Sequence, residues 1–280
     1  DMDRTTKTGS RTTPIYPGQF YTLLSRARSR DSVRILNFDE ANIVVSELVK
    51  AEMERLRRDS VFTWKHPITQ NKRRKICLLN IVSWNLHIQH VLSDKYYTNY
   101  SHVMCFTETH TNSTSFKRIE EYHPDWKSIH HPSAEHGLAI CYNAEKVVIE
   151  KEFPETSSIE LLPLLMNIDG EIMLIILVYR PPGGQRDLFI YQLLQELSML
   201  EETRHYRTIL CGDFNLDYML QENVDAFQQL CEYFNFVQRV KYSTHIHGGI
   251  LDLVFDQEGT EAVQWMPTPY SDHFTIVIDL

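Results

Sequence analysis

Short uninterrupted apolar runs recur along the chain from residue 76 onward, separated by polar or glycine-containing segments. Runs of this length, rich in branched and aromatic residues, are typical of buried β-strands. They predict strands at Ile76–Ser83, Val103–Thr107, Leu138–Tyr142, Ile172–Tyr179, Thr208–Cys211, Leu251–Phe255 and Phe274–Ile278.

Two stretches between these runs, Asp187–Arg204 and Asn223–Phe234, repeat apolar residues at helical spacing. The predicted buried stripes are Leu188, Tyr191, Leu194 and Leu197 in the first, and Val224, Phe227, Leu230 and Phe234 in the second. Strands that alternate with amphipathic helices predict an α/β domain over residues 76–280.

The first 75 residues have a different pattern. A helix is predicted from Asp39, a good N-cap, through Arg58. The polar, basic stretch Thr69–Lys75 then predicts a linker, so we divide the chain into segments 1–75 and 76–280. The basic cluster at 72–75 is either a nuclear address or an ordinary solvated linker.

Charge differs strongly between these two segments. Residues 1–75 hold 16 Lys/Arg against 9 Asp/Glu, a balance of +7, whereas residues 76–280 hold 12 against 28, a balance of −16. Such asymmetry indicates segments with different tasks. An acidic domain repels phosphate backbones, so any nucleic-acid function must overcome this charge.

The sequence also predicts the surroundings of the protein. Its longest apolar run, Ile172–Tyr179, is too short to span a bilayer, and the polar residues 1–10 are not expected to form a signal peptide. Four of the five cysteines lie inside apolar runs, which predicts buried free thiols in a reducing compartment. We therefore expect an intracellular, nuclear protein with no membrane partner, while the oligomeric state stays undetermined.

Polar groups follow several predicted strands directly. Asn85, Glu108, Tyr179 and Asp213 each come after an apolar run, and α/β folds place their sites at strand ends. Each group alone is also compatible with a turn or a helix cap. The triplet Ser271–His273 precedes the last apolar strand, and the carboxylate of Asp252 adjoins another, where a buried charge needs a partner.

Taken in order, these residues form a series of short motifs. They are SWN (Ser83–Asn85), FTETH (Phe106–His110), VYRPP (Val178–Pro182), GDFNLD (Gly212–Asp217), STH (Ser243–His245), LDLVF (Leu251–Phe255) and SDH (Ser271–His273). The series resembles the endonuclease/exonuclease/phosphatase superfamily, to which DNase I is related. The resemblance covers residues 76–280 and implies an α/β, DNase I-like sandwich of two mixed β-sheets flanked by helices.

The resemblance also implies roles for these residues, and it implies Mg²⁺ or Mn²⁺ as cofactor. It assigns Glu108, Asn85 and Asp272 to the metal, and Thr244 and Ser271 to support. Its catalytic group is Asp213, Asn215, His273, Asp252 and Tyr179. Asp252 would fix the tautomer of His273 and raise its pKa. Whether Asp213 or His273 is the general base stays open.

Three motifs, FTETH, VYRPPGG and GDFNLD, look most like those of mobile-element endonucleases. His87 departs from abasic-site repair enzymes, which usually have an Asp two residues after the Asn of the first motif. Only seven residues, 245–251, separate Thr244 from Asp252, where related retroelement enzymes carry a DNA-reading hairpin. This short segment puts target-sequence selectivity in doubt.

The N-terminal segment resembles a second family. Residues 18–38, GQFYTLLSRARSRDSVRILNF, are similar to the closing motif of superfamily-one DNA helicases of Helitron elements. In that motif Gln19 and Arg26 would approach nucleotide phosphates. The chain has no G-x-x-x-x-G-K-[ST] loop, so no ATP binding is expected from it. We expect a small α/β helicase-derived appendage.

Three functions are consistent with these patterns. The first is a DNA endonuclease (nickase) of a Helitron-like mobile element, with DNA as partner. The second is a phosphodiesterase or phosphatase acting on RNA, lipid or small phosphate esters, which the acidic domain favours. The third is a non-catalytic DNA-binding relic, against which the intact motifs argue. A zinc site at His130, His131 and His136, or at His245 and His247, competes weakly, since no cysteine pair has zinc spacing.

Overall fold

A computed structural model describes residues 47, 50, 74–111, 117–133, 135–154, 158–200, 203, 205–257, 260 and 262–280. The chain divides into two compact units, Asp1–Trp64 and Lys65–Leu280. Glu47 and Lys50 are helical and form an ion pair at 2.7 Å. The rest of the predicted helix at 39–58 and the helicase-like segment at 18–38 lie outside the described residues. The helicase-derived appendage therefore stays a prediction. The division between residues 1–75 and 76–280 also stays a prediction, although Lys75 itself is the first residue of the first strand.

The first of two sheets has six strands in the order β11-β12-β1-β2-β4-β3. They are β1 (Lys75–Asn80), β2 (Val103–Thr107), β3 (Trp126–His131), β4 (Leu138–Asn143), β11 (Ala262–Met266) and β12 (Thr275–Asp279). Strands β1 and β2 are parallel and the other neighbours are antiparallel.

The second sheet also has six strands, in the order β5-β6-β7-β8-β10-β9. They are β5 (Val147–Glu152), β6 (Glu160–Ile168), β7 (Glu171–Tyr179), β8 (Arg207–Asp213), β9 (Val237–Gln238) and β10 (Asp252–Asp256). Here β7 and β8 form the parallel pair. Each sheet is therefore mixed, with one parallel pair near its middle.

Side-chain alternation along the strands builds two apolar layers. Ile76 and Leu78 of β1 join a core shared with strands of the second sheet, whereas Cys77 and Leu79 join a second cluster with helix residues. This split follows from the two-residue period of a strand. The predicted sandwich of two mixed sheets flanked by helices is confirmed.

Four helices in the described part of residues 74–280 cover the sheets. They are α1 (Trp84–Ser93), α2 (Lys95–Tyr100), α3 (Arg186–Met199) and α4 (Gln221–Phe234), and a 3₁₀ turn is at Ile119–Glu121. Residues of α1 and α2 pack in the cluster with Cys77, while α3 and α4 pack in the core of the second sheet. No helix among the described residues is long and apolar enough to cross a membrane.

Some predicted elements needed correction. The stripe of α3 was partly wrong, since Leu188 and Tyr191 are exposed. Leu197 is buried as predicted, together with Phe189, Ile190 and Leu193. The first strand ends at Asn80, three residues before the predicted Ser83, and strands β3, β5, β6, β9 and β11 were not predicted. All five cysteines are free thiols, as predicted, and four are buried.

Candidate active site

The parallel pairs of the two sheets place four strand ends together. Asn80 ends β1 and lies opposite Thr107, which ends β2 just before Glu108. In the second sheet Tyr179 ends β7 opposite Asp213, which ends β8. Side-chain hydrogen bonds then join the sheets, from Tyr179 to Glu108 and from Asn80 to Asp213. The four ends therefore form a closed ring of contacts.

Glu108 has a neighbour at each of its carboxylate oxygens. The phenol of Tyr179 donates to Oε1 over 2.9 Å, and His110 Nε2 lies 3.7 Å from Oε2. Glu108 itself has a left-handed backbone, with φ of 51°. Burial, and then the negative charge of Glu108, raise the pKa of Tyr179 above its usual range. The phenol therefore stays protonated and remains a hydrogen-bond donor.

Asp213 is fully buried, and both of its oxygens accept hydrogen bonds. The Asn215 backbone N–H donates to Oδ1 and Asn80 Nδ2 donates to Oδ2, each over 3.0 Å. Burial, and then the charge of Asp252, raise the pKa of Asp213 to about 8, against the opposing effects of His273 and of these donors. A carboxyl group with a pKa near neutrality is suited to proton transfer.

Asp252 and His273 form the predicted pair. Asp252 lies opposite Asp213 in the register of β10 and β8, and its Oδ2 accepts from His273 Nδ1 over 2.8 Å. His273 Nε2 lies 3.9 Å from Asp213 Oδ2. Burial lowers the pKa of His273, but the hydrogen bond and charge of Asp252, with the charges of Asp213 and Asp272, outweigh it and raise the pKa to about 9. The imidazolium is therefore the main form at neutral pH.

Two predicted supporting residues hold the backbone of this pair. Thr244 Oγ1 accepts from the backbone N–H of Leu251 at 3.0 Å and of Asp252 at 3.1 Å. Ser271 Oγ accepts from the backbone N–H of His273 over 3.0 Å. These hydroxyls therefore fix the main-chain positions from which the Asp252 carboxylate and the His273 imidazole extend.

Asn215 is fixed by a reciprocal contact with Arg180. Its Nδ2 donates to the Arg180 carbonyl over 2.9 Å, and Arg180 Nη1 donates to the Asn215 carbonyl over 3.2 Å. Close packing of β8 on β7 requires Gly212, because a Cβ there would lie 1.8 Å from the carbonyl oxygen of Val178. The Gly-Asp-x-Asn motif thus packs against the end of β7 and is more than a solvated turn.

Asp272 is on the exposed side of the site. Its side chain is 50% exposed, and Oδ2 lies 3.3 Å from His245 Nε2. The cost of burial raises its pKa, yet the hydrogen bond from His245 and further contacts leave it lowered overall. Asp272 is therefore an ionised carboxylate beside the pair formed by Asp252 and His273.

The first motif was assigned to the wrong asparagine. Asn85 is the second residue of α1, and its Oδ1 accepts from the Lys117 backbone N–H over 3.0 Å. Asn80, which we did not select from the sequence, is the amide that contacts Asp213. His87 was compared with the Asp of repair enzymes because it lies two residues after Asn85. Two residues after Asn80 the chain has Val82, so the comparison with that Asp applies to Val82 instead. We replace Asn85 with Asn80 in the candidate set.

The residues of the site fit a hard divalent cation. Among the described residues, no Lys or Arg pairs with the carboxylates of Glu108, Asp213 or Asp252, and the buried Asp252 Oδ1 has no hydrogen-bond partner. Mg²⁺ and similar ions take carboxylate oxygens and retain several waters. Glu108 and Asp272 are partly exposed carboxylates, the kind of oxygen ligand that such an ion takes.

The zinc alternative at His130, His131 and His136 finds no support. His130 Nε2 contacts Ser128 Oγ at 3.0 Å, its ring packs edge-on against Trp84, and burial lowers its pKa to about 4. Potential metal-binding groups among the described residues contain none of these three histidines. The His130 imidazole is part of the packing around α1.

Solved structures share this fold at low sequence identity. An AP endonuclease from Archaeoglobus fulgidus matches with a TM-score of 0.56 and 17% identity, over 73% of this chain and 98% of that one. The catalytic domain of human Nocturnin matches with a TM-score of 0.57 and 13% identity, over 75% and 94%. A Bacteroides thetaiotaomicron mannosyl-6-phosphatase matches with a TM-score of 0.54 and 14% identity, over 74% and 98%. These likenesses establish the DNase I-like fold.

Family comparison gives the same result. No curated protein matches the chain in sequence. The model of the Endonuclease/Exonuclease/phosphatase family matches residues 69–273. Members of this family are metal-dependent hydrolases of phosphodiesters and phosphate esters. The chain therefore belongs to the endonuclease/exonuclease/phosphatase family and is a hydrolase of this class.

Proposed function

We propose that the chain is a Mg²⁺- or Mn²⁺-dependent DNA endonuclease that nicks DNA, encoded by a Helitron-like mobile element. The observation that carries the hydrolytic part is the ring of Glu108, Tyr179, Asp213 and Asn80, with His273 beside it. It combines a metal-binding carboxylate, a carboxyl group of raised pKa that can act as a base, and a cationic donor at one place. Phosphodiester hydrolysis needs these three functions together.

Roles follow from the protonation states. Asp213 is the general base in this proposal, because its raised pKa matches proton removal from water near neutral pH. His273, protonated and braced by Asp252, donates to the phosphate and stabilises its charge. This assigns the general base, which the sequence left open, to Asp213. A divalent cation bound at Glu108 would neutralise phosphate charge.

Asn215 and Tyr179 complete these assignments. Asn215 Nδ2 donates one of its two hydrogens to the Arg180 carbonyl, which orients the amide, and its Oδ1 can then accept a hydrogen bond from the attacking water. Tyr179 keeps its phenol proton and holds the Glu108 carboxylate. In this proposal Tyr179 acts chiefly by orienting Glu108.

DNA is supported as substrate by two observations. One solved structure with this fold is a 3′ phosphatase from Neisseria bound to a product DNA hairpin, with a TM-score of 0.57 and 16% identity over 74% of this chain and 99% of that one. The motifs FTETH, VYRPPGG and GDFNLD also resemble those of mobile-element endonucleases. We further propose a nuclear location, where such an enzyme meets its substrate.

Charge favours a second candidate, a phosphodiesterase or phosphatase acting on RNA, lipid or small phosphate esters. Residues 76–280 carry a balance of −16, which opposes binding of a long polyanion. A small ester needs few phosphate contacts and is less affected by this repulsion. The fold match to a mannosyl-6-phosphatase is consistent with this candidate.

A substrate panel tests the proposal. The whole chain is assayed with Mg²⁺ or Mn²⁺ on supercoiled plasmid, single-stranded RNA, a phosphoinositide and a sugar phosphate. We expect conversion of supercoiled to nicked plasmid, with loss of that activity in the Glu108→Ala variant. Faster turnover of RNA or a small ester than of DNA would instead establish the second candidate.

A further inference from the structure

A hydrogen-bonded chain leads from the segment 243–249 to Asp272. The His247 backbone N–H donates to His245 Nδ1 over 3.2 Å, and His245 Nε2 lies 3.3 Å from Asp272 Oδ2. A ring nitrogen that accepts a hydrogen bond carries no hydrogen, so the neutral His245 ring is protonated at Nε2. His245 Nε2–H therefore donates to the Asp272 carboxylate.

The same segment also holds the main chain of Asp272. The backbone N–H of Ile246 donates to the Asp272 carbonyl over 2.9 Å. His245 and His273 form an antiparallel β-bridge, and their rings meet edge-on with centroids 4.9 Å apart. Segment 243–249 thus fixes both the carbonyl and the carboxylate of Asp272, although this side chain is half exposed.

The potential ligand atoms of His245, Asp272 and His273 lie within 4.8 Å of one another, a spacing that would also suit a transition-metal site. A metal ligand must offer a lone pair, and the hydrogen bond accepted at His245 Nδ1 leaves Nε2 as a donor. His245 is therefore built to hold the Asp272 carboxylate by a hydrogen bond.

We propose that His245 is a positioning residue that orients Asp272 toward the divalent cation of the site, an inference that rests on the proposed function. Asp272 is the solvent-exposed carboxylate of the cluster, and without His245 its side chain could rotate into solvent. Partners that fix a ligating carboxylate typically contribute roughly 10–100-fold in metal affinity or activity. Segment 243–249 overlaps the seven residues, 245–251, that are too short for a DNA-reading hairpin. In this proposal its role is to position Asp272 at the metal site.

Two variants of His245 separate positioning from packing. His245→Leu removes the donor and keeps an apolar side chain, whereas His245→Gln keeps an N–H donor of similar reach. His205→Leu is the matched control, because His205 is exposed and precedes the start of β8, at the opposite end of that strand from Asp213. All variants are made in the whole chain, and their thermal unfolding is compared without metal.

Mn²⁺ binding followed by electron paramagnetic resonance is the main measurement, with hydrolysis against Mn²⁺ concentration beside it. We expect His245→Leu to weaken Mn²⁺ binding roughly 10–100-fold, with kcat at saturating Mn²⁺ changed little. His245→Gln should recover most of the affinity, and His205→Leu should bind like the parent. Nitrogen-15 chemical shifts of the His245 ring should show the Nε2–H tautomer.

The outcomes distinguish this inference from the function on which it rests. A parent protein that binds Mn²⁺ and hydrolyses substrate, together with unchanged Mn²⁺ affinity in His245→Leu, would overturn the positioning role alone. An Nδ1–H tautomer would overturn it as well. A parent protein that binds no Mn²⁺ would overturn the proposed function first, and with it the role of His245.

Discussion

Asn80 Nδ2 donates to Asp213 Oδ2 over 3.0 Å, and this hydrogen bond joins the end of β1 in one sheet to the end of β8 in the other. Both side chains are buried. Asn80 Oδ1 accepts in turn from the Val82 backbone N–H over 3.1 Å, which sets the orientation of the amide. The position of the candidate base therefore depends on an amide from the opposite sheet.

Substitution of Asn80 tests this dependence, with Asn85 as a matched control. We expect Asn80→Ala to lower kcat by roughly a hundredfold, because a misplacement of about 1 Å can cost that much. Asn85→Ala should change kcat only a few-fold, since the Asn85 amide holds the Lys117 backbone. Steady-state rates of plasmid nicking provide the measurement. A larger loss of kcat in Asn85→Ala than in Asn80→Ala would instead support Asn85, the residue assigned to the metal from the sequence.

The sequence predicted the strand ends where polarity changes abruptly. Glu108, Tyr179 and Asp213 each follow an apolar run that stops at the end of the strand. Asn80 was missed because Ile81 and Val82 continue the apolar run beyond it. Val82 has φ of 58°, a left-handed conformation that breaks the strand without any glycine or proline to mark the break.

Strand β6 was missed for a different reason. Pro163 lies in its interior, opposite Ile176 of β7, and proline within an apolar run argues against a strand. The hydrogen bond from His245 to Asp272 joins residues 27 positions apart through a loop, and no periodicity reveals such a contact. The local sequence pattern therefore predicts many strands and their ends. Contacts between the two sheets, or through a loop, can be identified only once the three-dimensional structure is known.

Metal dependence is expected to be complete. Nicking should require added Mg²⁺ or Mn²⁺ and stop with EDTA, because the carboxylates of the site have no Lys or Arg counter-charge among the described residues. Glu108→Ala should lose activity severely while retaining the parental melting temperature, since Glu108 is partly exposed. Full activity in chelator would contradict the metal mechanism.

Asp213 and His273 should behave as a unit. Each alanine substitution is expected to lower turnover by roughly 10²–10⁴-fold, the range for a positioned proton-transfer or charge-stabilising group. The double variant should cost less than the product of the single effects, because groups that act together are not additive. Single-turnover rates for the four proteins measure the coupling. Near-parental turnover of either single variant would exclude its assigned role.

The raised pKa values predict the pH dependence of this unit. Asp213 must lose its proton to act as base, so the rate should rise with pH toward about 8. His273 must keep its proton to donate, so the rate should fall as pH passes about 9. His273→Gln keeps a donor that does not titrate, and its rate profile should lack the descending limb. A descending limb that persists in this variant would assign it to another group.

The negative charge of residues 76–280 is the strongest argument against DNA as the substrate. The structure shows which of the basic residues just before and at the start of β1 already form ion pairs within the domain. Arg74 Nη2 lies 2.5 Å from Glu171 Oε2, and Lys75 forms a buried ion pair with Asp279, so both belong to the folded domain. Residues 1–64 hold 11 Lys/Arg against 9 Asp/Glu, a balance of only +2. The basic residues left to bind DNA between that segment and β1 are therefore Lys65, Lys72 and Arg73.

We predict that neutralising Lys65, Lys72 and Arg73 together, each to Gln, flattens the salt dependence of DNA binding. The slope of log K against log salt should fall by about 0.9 for each DNA phosphate that the variant no longer neutralises, because each neutralised phosphate releases condensed counterions. Deletion of residues 1–64 should change the slope less, since that segment is nearly neutral. Turnover on a saturating short substrate should be unaffected in both proteins, because the catalytic residues all lie beyond Lys75. Binding isotherms between low and physiological salt provide the test. A slope unchanged by the triple substitution would mean that this basic stretch does not serve the nuclease, and the acidic domain would then favour a small phosphate ester as substrate.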